Sequence, residues 1–192
     1  YNPINLYYTV YMNKPTKTLI IESPTHGTHE VLYDAEDEDK INKYNWYVNK
    51  ERDHFYVRTD IPHPDGGIRR CGRRRRRTKL KLHRLVAGTP KGMFTDHING
   101  DGLDNRKQNL RICTNAENAR NRRLGKTNTS GFKGVSWFKR DKIWYVHITH
   151  NKKLMFLGCF KDKEEAARAY DRKAIELHGE FAWLNFPIED YQ

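Results

Sequence analysis

Residues 94–122 read FTDHINGDGLDNRKQNLRICTNAENARNR, and the rest of the chain is organised around them. Met93, Phe94 and Ile98 form an apolar step that ends in the pair Asp96-His97. The Gly, Asp and Asn residues that follow are too polar to pack. Leu110 and Ile112 then alternate with polar neighbours as a short second strand. Thr114 is a good N-cap for a helix carrying Asn115, Asn118 and Arg122. The expected order is strand, polar loop, strand, helix, with Asp96 and His97 at a strand-to-loop edge.

This order suits phosphodiester hydrolysis. A carboxylate and an amide oxygen can hold one hard divalent cation and leave positions open for water and phosphate oxygens. Asp96 supplies the carboxylate, and Asn115, Asn118 and Asn121 are amides of the right kind on the following helix. The reaction also needs a base near neutral pH, and imidazole is the side chain whose ordinary pKa lies there. His97 takes that role. Asn109 is placed to hold the loop across from the histidine and to fix which ring nitrogen meets the water. Taken singly, such residues are ordinary turn and cap residues; the ordered set is far more specific.

With Asp96-His97, Asn109-Leu110-Arg111 and Asn118 in place, the segment resembles the HNH, or ββα-metal, endonucleases in their His-Asn-Asn version. The resemblance implies that His97 is the general base, that Asn109 braces the loop, and that Asp96 and Asn118 hold the metal. It is this resemblance that selects Asn118 from the three helix amides. Donors of this kind imply one Mg²⁺ or Mn²⁺ ion and no zinc.

Composition agrees with a nucleic-acid enzyme. The chain has 192 residues, only 36% of them hydrophobic, a net charge of +12 and a pI of about 9.6. That excess argues for a polyanionic partner. No apolar run approaches membrane-spanning length, and the start YNPINLYYTV shows no basic leader, so a soluble, intracellular protein is expected. Cys71, Cys113 and Cys159 form no CxxC pair and are expected as free thiols.

Ahead of the central stretch, residues 1–18 read as an extended arm. Lys17–Ser23 and Glu30–Tyr33 read as strands around the turn at 24–27. The acids of 34–39 suit the start of a short helix through Ile41 and Tyr44 and carry no catalytic role. Trp46–Val48 and Phe55–Thr59 form a second strand pair, with Tyr44 and Trp46 as core aromatics. Then comes IRRCGRRRRRTKLKLHR, without an acid between Ile68 and Arg84. Such a block is as often a solvated tail. Here it runs into Leu80, Leu82, Leu85 and Val86, which anchor a strand and a short helix beside the proposed site. Arg73, Arg74, Arg75, Arg76, Arg77 and Arg84, with Arg111 and Arg122, are therefore candidates for phosphate contacts that position DNA without reading it. His83, between leucines, is a second-rank site candidate.

GKTNTSG (125–131) has the composition of a linker. Strand patterns follow at Lys133–Phe138, Ile143–Thr149 and Leu154–Phe160, joined by short turns. A helix opens at the capping pair Asp162 and Glu165, presents Ala166, Ala167, Ala169, Tyr170, Ala174 and Leu177, and stops at Gly179. By alternation Val135, Trp137, Trp144, Val146, Ile148, Met155 and Leu157 face the helix. Ser136, Phe138, Tyr145, His147, Thr149, Leu154 and Phe156 face away.

With SGFKGV, IWYVHI, FLGCF, EEAARAYDRKAIELHG and LNFP, residues Ser130–Pro187 resemble the Apetala-type, or ethylene-response-factor, DNA-binding domain. That family reads bases in the major groove with arginines and tryptophans of the outer sheet face. Here its arginine positions hold Lys133, Ser136, Phe138, Thr149 and Leu154, and its tryptophan positions hold Arg140 and Phe156. The resemblance implies DNA binding through Lys133, Ser136, Phe138, Arg140, His147, Thr149 and Phe156, but not the plant sequence preference. The competing reading makes Phe138, Tyr145 and Phe156 a protein interface.

The expected fold class is α+β: a small N-terminal αβ layer leading into a ββα-metal nuclease core, then a three-stranded antiparallel sheet packed on one helix. The expected domains are 1–124, with the nuclease core at about 78–124, a linker at 125–131, a DNA-binding module at 132–187, and a tail at 188–192. A nuclease followed by such a module resembles phage and mobile-element homing endonucleases. The expected activity is metal-dependent hydrolysis of double-stranded DNA by a monomer, as a site-directed nickase, with no small-molecule cofactor. The alternative is a non-catalytic DNA-binding regulator that retains the nuclease fold.

Overall fold

The structure is a computed structural model that describes residues 14–63, 77–121, 124 and 127–191. It is an α+β molecule whose chain divides into two compact units, Tyr1–Thr114 and Asn115–Gln192. Most of the expected N-terminal arm, Cys71, Arg73, Arg74, Arg75, Arg76 and Arg122 lie outside the described residues. Within the arm, residues 16–18 already belong to a strand.

The first unit opens with a hairpin of β1 (Thr16–Ser23) and β2 (Gly27–Asp34), paired from Thr16↔Asp34 to Ser23↔Gly27. Alternation in β2 turns Val31 and Tyr33 into the core. A 3₁₀ turn at Ala35–Asp37 leads into a one-turn helix, α1 (Glu38–Ile41), whose last residue is buried. Next come β3 (Tyr47–Glu51), β4 (His54–Pro62) and β5 (Arg77–Lys81), an antiparallel sheet in the order β3-β4-β5. β5 runs straight into α2 (Leu82–Ala87), which Gly88 ends in a left-handed conformation. The core is mainly aliphatic: Ile21, Val31, Tyr33, Ile41, Val48, Val57, Leu82 and Val86. Trp46 packs against it, as expected. Tyr44 corrects that expectation, lying edge-on to Trp46 outside the buried set.

β6 (Phe94–His97) and β7 (Leu110–Cys113) close the unit as an antiparallel pair, with Asp96 opposite Arg111 and His97 opposite Leu110. Between them the loop runs back to β2. Leu32 forms a parallel bridge with Asp104, donating to the Leu103 carbonyl at 3.0 Å and accepting from the Asn105 N–H at 2.8 Å. Nothing in the local sequence announced that pairing.

The second unit begins with α3 (Asn115–Arg120). Its sheet, in the order β10-β9-β8, consists of β8 (Val135–Phe138), β9 (Ile143–His150) and β10 (Lys153–Phe160). A bulge between Phe156 and Gly158 shifts the register so that Cys159 joins Phe156 on one face. The helix α4 (Lys163–His178) is capped by Asp162, whose side chain accepts from the Glu165 N–H at 2.7 Å. Ala166, Ala167, Tyr170 and Ala174 of α4 meet Val135, Val146 and Ile148 in the second core. Trp137 pairs with Trp144 on the same face as Val135, as expected, but it is 42% exposed and leans on Trp144 without joining the buried core.

The buried carboxylate of Asp171 accepts from the backbone N–H groups of Asn185 and Phe186 and from the Tyr191 hydroxyl. Residues 188–191, expected as a tail, are instead a 3₁₀ turn secured by that bond. Lys133, expected to meet DNA, points inward. Its ammonium donates to the Arg120 carbonyl at 2.7 Å, and burial pulls its pKa down to about 8. Cys113 is buried and Cys159 exposed, both as free thiols. Among the described residues no helix is long and apolar enough to cross a membrane.

Gly134 sits at φ +77°, and a Cβ there would come within 2.0 Å of the Tyr170 ring. Gly134→Ala should therefore combine left-handed backbone strain with overpacking and destabilise the second unit by about 2–4 kcal/mol. Thermal unfolding of the full chain, read by near-ultraviolet circular dichroism, checks this.

Candidate active site

The site is built where β6 ends. Asp96 and His97 are the last residues of the strand, and both are buried. Because successive strand residues point to opposite faces, they serve different surroundings.

Asp96 faces Arg111 across the β6–β7 pair. The guanidinium donates through Nε at 3.0 Å and Nη2 at 2.8 Å, both to the same carboxylate oxygen. Arg111, considered as a phosphate contact, is thus an ion-pair partner of Asp96 here. The pair still leaves a carboxylate at the strand end, a donor of the kind a hard cation takes.

His97 lies against His83 of α2, ring centroids 4.9 Å apart at 89°, and Tyr56 of β4 stands 6.0 Å from each. The structure therefore brings the second-rank candidate into contact with the first. Burial lowers the pKa of His97, and the adjacent Asn105 side chain opposes it, aided by the charges of Asp96, Asp101 and Asp104. Burial pushes His83 well below the ordinary histidine range, with His97, Lys81 and Arg84 adding to the effect. Both rings are accordingly held towards the neutral form.

Asn109 spans the loop. Its amide oxygen accepts from the Asn99 N–H at 3.0 Å, and its amino group donates to the Asn99 side chain at 3.0 Å and the Asp104 carbonyl at 2.8 Å. Ile98 adds a backbone bond to the Asn109 carbonyl at 2.9 Å. The tip is two successive Asx turns: Asn99 accepts from the Asp101 N–H and Asp101 from the Leu103 N–H. Gly102 lets the loop lie on β4, since a Cβ there would meet the Phe55 carbonyl at 2.2 Å and the Tyr56 ring at 2.7 Å.

The other candidates are scattered. Arg84 is committed to structure, donating to the carbonyls of Met93 at 2.7 Å and Pro90 at 3.1 Å. Exposed Arg77, at the start of β5, donates to the Asp60 carbonyl at 3.0 Å. Asn118 lies on α3, beyond the boundary of the first unit. Ser136, Phe138, His147, Thr149 and Phe156 share the sheet face away from α4, and Arg140 sits in the turn after β8.

Sequence reasoning missed Tyr56, Asn99, Asp104 and Asn105. The alternation of Asn and Asp with Gly at 99–102 was a usable signal for the Asx turns. For Tyr56, distant along the chain, there was none. Asp104 is the outer clamp: burial works to raise its pKa, yet the bonds from Arg106 and Asn99 prevail and lower it. Beyond it, Asp34 accepts from the Lys107 N–H at 2.8 Å, and Glu36 pairs with Lys107 and Lys14.

The structure thus sets a buried histidine beside a carboxylate on a two-stranded edge, next to a loop braced by asparagine. The profile of the family described as HNH endonuclease matches residues 81–120, from the end of β5 through α3. The chain belongs to the HNH endonuclease family, and a separate segment is similar to Apetala-type factors. It is 40% identical over 93 residues to Protein 3.8 of Escherichia phage T7, covering 48% of this chain and 76% of that protein. It is 27% identical over 151 residues to the uncharacterized HNH endonuclease L560 of Acanthamoeba polyphaga mimivirus, covering 76% of this chain and 68% of that one. Similarity to APETALA2-like protein 2 of Oryza sativa is 39% over 71 residues, covering 37% of this chain but only 16% of the plant protein.

The carboxylates of Glu36 and Asp104 are both more acidic than usual, Glu36 at about 2 through its bonds to Lys107 and then Lys14. Folding thus favours their ionised forms. For Glu36 this stabilisation is complete above the ordinary value of 4.5 and is lost as the pH falls towards 2, and the lowered Asp104 acts in the same direction. The double variant Glu36→Gln, Asp104→Asn should flatten the loss of amide protection in the 98–109 loop between those limits. Hydrogen exchange at stepped pH measures it.

Proposed function

We propose that the protein is a metal-dependent endonuclease of the homing type that hydrolyses phosphodiester bonds in double-stranded DNA. The observation that carries this is His97, kept neutral at the end of β6 beside Asp96 and under the Asn109-braced loop, inside the stretch that matches the HNH family. In this reading the ββα core is β6, β7 and α3. His97 accepts the proton of the attacking water, Asn109 keeps the loop aligned, and His83 limits the rotation of the His97 ring. His83 is a positioning residue.

Asp96 and Asn118 are the groups that would hold the divalent ion, whose role is to polarise the scissile phosphate. Their donor set fits such an ion: one carboxylate and one amide oxygen, with no sulfur or imidazole. Mg²⁺ or Mn²⁺ suits it better than zinc. Arg111 holds the Asp96 carboxylate in place until then. The second unit serves as the DNA anchor, from the similarity of its segment to Apetala-type factors and from its exposed basic turns. A monomer with a single such site cuts one strand, so the product is a nick with a 5′-phosphate and a 3′-hydroxyl. Against the competing reading, a non-catalytic DNA-binding regulator, stands the complete set of Asp96, His97, Asn109 and Asn118.

Supercoiled plasmid incubated with Mg²⁺ or Mn²⁺ should convert to the open-circular form, and chelator should stop it. His97→Ala should reduce single-turnover cleavage about 10²- to 10⁴-fold while leaving DNA affinity nearly unchanged. Wild-type cleavage by that variant, or full activity in EDTA, removes this reading.

Removing residues 126–192 should separate holding from cutting. Affinity should fall and site choice blur, with a salt dependence lowered by roughly one log-log unit for each phosphate the shortened chain no longer neutralises. Residual metal-dependent cutting should persist at low salt. Binding titrations at several salt concentrations, paired with cleavage of the same duplex, provide the test.

A further inference from the structure

The outer face of the β8–β9–β10 sheet carries Ser136 and Phe138 on β8, Tyr145, His147 and Thr149 on β9, and Leu154, Phe156 and Cys159 on β10. Leu154 is 69% exposed and Phe156 55%, and Phe156, with the touching rings of Tyr145 and Phe138, forms part of a contiguous apolar patch of the kind that marks an interaction site. Among the described residues, no Arg, Lys, Asn, Gln, Asp or Glu of these strands stands on this face. Charge is confined to its ends: Lys139, Arg140 and Lys142 in one turn, where Asp141 pairs with Arg140, and Lys152 and Lys153 in the other, all exposed and net positive at each end. An apolar centre between two cationic rims complements a groove of bases between two phosphate strands. Adjacent strands lie about 4.8 Å apart, so two of them fit a major groove about 12 Å wide.

The chemistry of the face then narrows what it can read. Guanine is recognised by Arg or Lys, adenine by Asn or Gln, and cytosine by Asp or Glu, and the strands of this face offer none of them; Arg140, in the adjoining turn, is paired with Asp141 and lies over the Phe138 ring. The hydroxyls of Ser136 and Thr149 bond to any base. Beside the His147 imidazole, which can donate to or accept from a base edge, what the face offers is apolar contact, and the one apolar group in the major groove is the 5-methyl of thymine. Base stacking is a poorer use of these rings, which already occupy one another. Phe138 and Tyr145 stack at 4.6 Å and 10°, the Arg140 guanidinium lies 5.3 Å from the Phe138 ring, and Phe156 meets Tyr145 and His147.

We propose that this sheet face recognises duplex DNA through thymine 5-methyl groups, with Leu154 and Phe156 as the specificity-determining contacts and the two basic turns on the flanking phosphates. The inference rests on the reading of the second unit as the DNA anchor, and it names what that anchor selects.

The full-length chain, in EDTA so that nothing is cut, is first used to select duplexes from a random pool. The preferred duplex is then made with thymine or with deoxyuridine, which differ only by the methyl. Removing each methyl that the face touches should weaken binding roughly fourfold. Leu154→Ala and Phe156→Ala should bring the thymine and uracil duplexes to equal affinity. Equal affinity in the unaltered chain, or an undiminished thymine preference in both variants, overturns the inference. The underlying reading is tested separately by changing Lys139, Lys142, Lys152 and Lys153 to Gln. If affinity and salt slope fall while thymine and uracil remain equivalent, the anchor stands and the methyl reading fails. If neither falls, both are overturned.

Discussion

The arrangement of the first unit depends on holding a polar loop without a hydrophobic core of its own. Between β6 and β7 the only apolar side chains are Ile98, which is 46% exposed, and Leu103, which reaches the main cluster. Burial cannot fix such a segment, so hydrogen bonds must. The Asn109 carboxamide closes it from inside, and the backbone of Leu32 closes it from outside. Each bond has a modest net value, about 1 kcal/mol, but leaving any buried partner unpaired costs more, so the set is held together by its alternatives. His97 inherits its position from this closure, because the strand that carries it ends where the loop begins.

Much of this was legible in the sequence. Asp96-His97 at the end of an apolar step, alternation at Leu110 and Ile112, and a cap before an Asn-rich turn each encode a local conformation. Local rules suffice for such features. The β1–β2 hairpin and the Asp162 cap of α4 were readable for the same reason. Three things were not. The Leu32–Asp104 bridge joins segments far apart in the chain through backbone atoms, which carry no residue signature. Tyr56 comes to the histidines by sheet pairing at a distance. The inward turn of Lys133 depends on a carbonyl, that of Arg120, which no pattern displays. Trp137 shows the limit of alternation itself: β8 is a short edge strand, and its second apolar position runs past the end of the buried core.

The second unit solves its own version of the problem with one buried charge. Asp171, on the inner side of α4, gathers the backbone of Asn185 and Phe186 and the hydroxyl of Tyr191. Asn185 in turn accepts from the Lys133 N–H at 2.6 Å and donates to the Lys133 carbonyl at 3.2 Å. The end of the chain is thereby tied through the helix to the start of the sheet. Small alanines let α4 lie close enough for these contacts. The outer face is thus free of any structural duty, and its composition can drift from that of similar domains without cost to the fold.

The parallel bridge between Leu32 and Asp104 also bears on what could be transplanted. A graft of residues 94–122 into a foreign scaffold would carry every side chain of the recognisable motif. It would leave behind the strand that accepts the Asn105 N–H and satisfies the Leu103 carbonyl, and the Asp34 carboxylate that receives the Lys107 N–H. Backbone groups orphaned in this way cost about 1–3 kcal/mol apiece if they stay buried, enough to let the loop open to water instead. A portable piece must therefore carry the N-terminal hairpin as well as residues 94–122, because the loop closes on that hairpin's backbone and on Asp34.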